Sequence, residues 1–163
     1  RRGTEPMALA TRVFFDTSVL VAGFVEASEA PTPAQAIVDA IADGRVQAPS
    51  TAWHCVLEFY AVCTRLPAGL RLDPEHAGEL VRQEILARFA VHEIPPEARE
   101  RFIASLVDER IAGGRVYDAH IAEAARLAGA EVVVTENRRH FTHLMRHGIR
   151  VLTAEEFAGE YGV

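Results

Sequence analysis

The most constraining feature of this sequence is a set of very short apolar runs that have no polar face. Val132-Val133-Val134 is the clearest and Val13-Phe14-Phe15 is built the same way, while Val91 to Ile94, which includes His92 and Glu93, and Ile149 to Leu152, which includes Arg150, read as two further short strands. A strand with one wet face alternates apolar and polar residues; an uninterrupted apolar run must be covered on both sides. Between the runs lie stretches of helical period. Thr32-Pro33 caps one carrying Ala36, Ile37, Ala40 and Ile41 and closed by Gly44; another carries Trp53, Val56, Leu57, Tyr60 and Val62 and ends near Leu66-Pro67. Asp73-Pro74 opens a helix reaching about Phe89, a further helix runs from about Glu97 to Ile111, and one from Tyr117 to Leu127 stops at Gly129. Thr153-Ala154-Glu155-Glu156 has the form of a capping box for a terminal helix. Val46 to Ala48 reads as one more short strand, with Ser50 or Thr51 capping the helix after it. Alternating helices and doubly covered strands predict an α/β fold, a three-layer α/β/α sandwich around a parallel sheet of four to five short strands.

Length and composition narrow the chemistry. At 163 residues the chain is expected to form one domain, 7–163, with Arg1 to Pro6 as a patternless tail. All 17 basic residues are arginines. Without lysine, a Walker-type ATPase, a Schiff-base enzyme and a lysine-dependent kinase are excluded. A haloacid-dehalogenase-like phosphatase fails for the same reason, and because Ser18 stands where its second aspartate would be. The net charge of −6 argues against non-specific coating of nucleic acid. No apolar run approaches the roughly 20 residues of a membrane span, and no secretory signal is expected. Cys55 and Cys63, about 12 Å apart along one helix, cannot pair with each other and predict a reducing, cytoplasmic setting.

Ligands of open parallel sheets bind beyond the carboxyl ends of the strands. Asp16 ends the first run, and Thr135 to Asn137 follow Val132-Val133-Val134. Glu58 and Asp118 stand out as acids among apolar neighbours. Singly, each has a plainer role: a turn former, a solvated helix position, a helix N-terminal acid stabilised by the macrodipole, a loop residue. Together they would be a self-repelling cluster that only a cation could neutralise, and oxygen ligands suit Mg²⁺ or Mn²⁺ rather than zinc. His143 and His147 have a zinc-compatible spacing but lack the glutamate of the protease pattern. Trp53, Phe59 and Tyr60 read as core, and Leu57 to Val62 and Leu80 to Phe89 as mostly packed helix faces.

In order along the chain, Phe15-Asp16-Thr17-Ser18-Val19-Leu20, Glu58-Phe59-Tyr60, Tyr117-Asp118-Ala119-His120-Ile121-Ala122 and Val134-Thr135-Glu136-Asn137 with Phe141 resemble the PIN-domain family. Within it the resemblance is to the VapC-type toxin ribonucleases of bacterial toxin–antitoxin pairs. It implies a metal-dependent endoribonuclease with Asp16, Glu58 and Asp118 as carboxylates and Ser18 and Thr135 as polar supports. Asp16 and Asp118 would bind Mg²⁺, and Glu58 would hold the attacking water or take its proton. Asn137 takes the family's fourth acidic position and brings an amide oxygen but no charge, which weakens any second metal site. The resemblance further implies an RNA substrate, a VapB-type antitoxin and a homodimer. Arg138, Arg139 and Arg146, just beyond the site, are the expected RNA contacts. The rival expectation is a PIN-fold RNA- or protein-binding module whose metal site has weakened.

Overall fold

The computed structural model describes residues 10–25 and 29–163; the expected tail lies outside the described residues. Five strands form one sheet in the order β3-β2-β1-β4-β5, all neighbours parallel. They are β1 (Val13–Phe15), β2 (Ser50–Ala52), β3 (Ala90–His92), β4 (Val132–Val134) and β5 (Arg150–Leu152). The helices are α1 (Thr17–Phe24), α2 (Pro33–Ala42), α3 (Trp53–Cys63), α4 (Pro74–Leu80), α5 (Arg99–Asp108), α6 (Arg115–Leu127) and α7 (Ala154–Tyr161). Helix α2 packs on α1 and α7, while α6 packs on α3 and α5, and the sheet lies within these layers. This is the expected α/β/α sandwich. Val13 pairs in register with Val132 and Phe15 with Val134, and all six residues of β1 and β4 are buried. Phe15 meets Phe89 and Phe157 edge-on at 5.9 and 6.0 Å, which packs the bend before β3 and helix α7 against the central strand.

Several elements differ from expectation. The second strand is Ser50–Ala52 rather than Val46 to Ala48, and the cap of α3 is Ala52. Two hydroxyls make a polar strand possible in the core: Ser50 Oγ donates to the Val13 carbonyl at 3.1 Å and Thr51 Oγ1 to that of Phe15 at 2.8 Å. Ala48, at φ 44°, turns the chain out of the strand region just before it. Helix α1 gives no period in the sequence because Val19, Leu20 and Gly23 are buried among further apolar residues, leaving no polar stripe. Gly23 is there for contact: a Cβ would come within 2.4 Å of Val38 Cγ2 and 3.0 Å of the Ala34 carbonyl, so α1 and α2 touch through it.

The helix opened by Asp73 passes from α4 into a π-helical turn, Val81–Leu86, before β3. At α7, half of the expected capping box forms. Thr153 accepts from the Glu156 N–H, but the Glu156 carboxylate turns to Arg138 instead of back to the Thr153 N–H; the neighbouring Ala154 N–H donates to Glu136 from the β4 loop. Thr32 and Gln35 make the full reciprocal box at α2. Cys55 and Cys63 are buried and unpaired, their thiols pushed up to about 11 by burial. Trp53, Leu57 and Tyr60 are 40%, 53% and 38% exposed, contrary to the core reading. Helix α3 is apolar on more than one side, and Cys55, Val56, Phe59 and Cys63 are the side that the core takes. Ile85 and Phe89 are buried as expected while Leu86 faces outward. Among the described residues no helix is long and apolar enough to cross a membrane.

Candidate active site

Strand order runs from β1 to β2 and β3 on one side and resumes at β4 on the other, so the carboxyl ends of β1 and β4 flank the switch point of the sheet. Asp16 follows β1 and Thr135 follows β4. The Asp16 N–H donates to the Val134 carbonyl at 3.0 Å, which carries the pairing one residue past the strand and brings the two residues together. Thr135 Oγ1 donates to Asp16 Oδ2 at 2.8 Å, and Ser18 Oγ donates to the same oxygen at 3.1 Å. Thr135 Oγ1 also accepts the Asn137 N–H at 3.0 Å, and Ser18 Oγ accepts that of Glu136 at 3.0 Å. The two hydroxyls therefore lock Asp16 to the loop after β4. Glu136 itself turns away from the site, its Oε1 accepting the Ala154 N–H at 3.0 Å beyond the end of the strand at Val134.

Glu58 comes from α3 and Asp118 from the first turn of α6. With Asp16, Thr17, Ser18 and Asn137, and with Val21, Val62 and Ile121, they line one pocket of 250 Å³. Asp16, Glu58, Asp118 and Asn137 thus share one lining. Among the described residues no cationic side chain lines this pocket. Burial raises Asp16 above the usual aspartate range, against the downward pull of Thr135, the Thr17 N–H and Ser18, and the charge of Asp118 adds to the rise. Burial, then the charge of Asp16, raises Glu58.

Two partners escaped the sequence reading. His54 Nε2 lies 3.3 Å from Glu58 Oε2, and His140 Nδ1 lies 3.2 Å from Asp118 Oδ2. The first pair is four residues apart on one helix, a spacing that could have been read; the second joins distant segments and left no signal. Tyr117 stacks on His54 at 5.2 Å, and His120 packs edge-on against it at 5.8 Å. Burial, then the charge of His54, lowers His120.

The donor set fits a hard divalent cation: three carboxylates, an amide and hydroxyls, with uncompensated negative charge and no thiolate or imidazole in the lining. Thr17 Oγ1, beside Asp16, is a buried oxygen without a hydrogen-bond partner among the described residues. No three His, Cys, Asp or Glu side chains among the described residues are close enough to hold an ion as they stand. Glu58 and Asp118 are half-exposed, and each lies against an imidazole. Of the expected RNA contacts, Arg139 lines a hollow with Asp118, while Arg138 is paired with Glu156 and Arg146 lies 3.2 Å from Glu109.

The PIN-domain family model matches residues 12–139, and the chain belongs to that family. Ribonuclease VapC27 of Mycobacterium tuberculosis is 35% identical over 101 residues, spanning 62% of this chain and 71% of that protein. The fold is similar to PAE2754 from Pyrobaculum aerophilum, at TM-score 0.59 and 21% identity over 95% of this chain and 92% of that one. It is also similar to VapBC2 from Rickettsia felis bound to a DNA fragment from their promoter, at TM-score 0.56 and 13% identity over 88% of this chain and 98% of that one. FitAcB from Neisseria gonorrhoeae gives TM-score 0.56 and 19% identity over 88% and 98%. At these identities the solved structures establish the fold alone.

Proposed function

We propose that this chain is the toxin ribonuclease of a VapBC-type toxin–antitoxin pair, an endoribonuclease that hydrolyses RNA phosphodiester bonds with Mg²⁺, for which Mn²⁺ can substitute. The observation that carries the reading is the meeting of Asp16, Glu58 and Asp118, from three separate segments, in one pocket that no cationic side chain lines among the described residues. Membership of the PIN-domain family and the likeness to a protein named a ribonuclease support it.

Asp16 and Asp118 would hold the cation, and Asn137 in the same lining would offer an amide oxygen. Bound there, the cation would offset the charge that builds on the phosphate oxygens and make water acidic enough to attack near neutral pH. Ser18 and Thr135 keep Asp16 in one orientation. Glu58, whose raised proton affinity suits a base, takes the proton of the attacking water. Arg139, which has no carboxylate partner among the described residues, meets the RNA backbone first; Arg138 and Arg146 must leave Glu156 and Glu109 to join it. A VapB-type antitoxin is the partner, supported by structural relatives that carry VapBC names, and the protein works in the cytoplasm as a homodimer. Trp53, Leu57 and Tyr60 offer an exposed apolar face for such contacts.

Sequencing RNA 5′ ends after brief expression, beside an Asp16→Asn control, tests the reading. A discrete class of new ends absent from the control is expected; identical ends in both would sink it. The second reading, a binding module with a weakened metal site, draws on Asn137 and on the two carboxylates held by histidines. Titration of the purified chain with Mg²⁺ or Mn²⁺ separates the two, because a module shows neither saturable binding nor metal-dependent RNA cleavage.

A further inference from the structure

A larger concavity opens beside the acid pocket. Phe102 and Leu106 of α5 and Leu144 of the turn after β4 floor a cleft of 440 Å³, rimmed by Arg101, Arg126 and His143. Glu109, Ile111, Ala119 and His143 line both this cleft and a hollow of 330 Å³ that contains Asp118, Arg115 and Arg139. Asp118 in turn lines the acid pocket. One furrow therefore follows α6 from Asp118 to Arg126, about 12 Å at the helical rise. Whatever sits at its far end neighbours the scissile phosphate and is not that phosphate.

Charge along the furrow is unevenly used. Arg126 grips Glu123 through two bonds of 2.6 and 2.9 Å. Arg101 and Arg115 have no carboxylate partner among the described residues, although both are exposed beside Glu109 in the lining. Burial, then Arg146, holds His143 below the usual histidine range, so it presents a neutral imidazole with one donor and one acceptor. An apolar floor with an aromatic ring, an uncommitted guanidinium and a neutral imidazole matches the parts of a nucleotide: a face to stack, a phosphate and a base edge.

We propose that this cleft seats a nucleotide flanking the scissile bond, its base against Phe102 and its phosphate on Arg101, and that it helps select the sequence in which the cut falls. The proposal rests on the ribonuclease reading above. It is tested on the full chain with fluorescent single-stranded RNA oligonucleotides, with affinity measured by anisotropy in EDTA, where no cut occurs. Phe102→Ala should weaken binding roughly 5- to 100-fold, the range of base–aromatic stacking, and Phe102→Tyr should restore it. Arg101→Glu, at an exposed position that leaves folding intact, should weaken binding about tenfold and flatten the salt dependence by about one phosphate contact. In a random-sequence RNA pool both variants should shift the preferred cut site. Absence of metal-dependent cleavage by the unsubstituted chain would remove the ribonuclease reading. Cleavage by that chain with affinity and cut sites unmoved in both variants would remove the cleft alone. So would failure of the chain to bind RNA, or loss of antitoxin binding with RNA affinity intact.

Discussion

The two sides of the acid pocket are built differently. Asp16 is 5% exposed, held by two hydroxyls and a backbone N–H, and cannot turn. Glu58 and Asp118 are half-exposed and each leans on a histidine. A buried, fixed carboxylate stores unfavourable charge that a cation relieves, whereas an exposed one on an imidazole has already found a partner. The buried side fixes where an ion would sit, and the two half-exposed carboxylates, each beside a histidine, would complete the shell.

The strongest way to break this comparison is to neutralise each side in turn. Asp16→Asn and Asp118→Asn should both abolish RNA cleavage, but their metal-free melting temperatures should part. Asp16→Asn removes a desolvated charge and should melt higher than the unsubstituted chain, while Asp118→Asn should barely move. Equal shifts in calorimetry would show that burial does not distinguish the two sides.

Next in size is Thr135→Val. It deletes the donor to Asp16 and leaves the Asn137 N–H without its acceptor, so stability should fall by about 1 to 3 kcal/mol in chemical denaturation. Metal affinity should drop about 10- to 100-fold, as for other residues that orient a ligand. A variant as stable and as tight as the original would refute the role of the hydroxyl lock.

Proton competition gives a smaller effect. Asp16 and Glu58 are both raised, the first above 3.8 and the second above 4.5, chiefly by burial. Their folded forms therefore keep protons at pH values where the unfolded chain has lost them. In the metal-free protein, stability falls as pH rises through the ordinary carboxylate range towards the folded values, and is not regained above them. Mn²⁺ affinity should run the other way and weaken on acidification sooner than at a site of exposed carboxylates, as titration calorimetry at a series of pH values can check. The smallest change is expected from His140→Gln. Freeing Asp118 from an exposed pair worth under about 1 kcal/mol should tighten Mn²⁺ binding less than tenfold. Weaker binding would mean that His140 supports the site rather than competing for it.

The legible parts were those in which one segment carries its own signal. The buried runs at β1 and β4, the Thr32 cap, the Gly129 stop and the order of the four acid-pocket segments could all be read from neighbours in the chain. Helix α1 was not, because a helix buried on most of its surface shows no stripe. Strand β2 was misplaced because Ser50 and Thr51 look like cap residues until the carbonyls of β1 are there to receive their hydroxyls. Trp53 and Tyr60 read as inward residues in the sequence because an apolar helix does not state which of its faces the core will take.

Local periodicity and residue chemistry thus determined the layered α/β class and the absence of lysine chemistry, and the order of motifs shared with the PIN-domain family marked the acids. Only the tertiary structure decided which carboxylate is locked and which two are held by His54 and His140, and that a furrow leads from them to Phe102 and Arg101. Those outcomes depend on side chains far apart in the chain meeting across the rim of a sheet, where burial and charge are properties of the assembled surface rather than of any one segment.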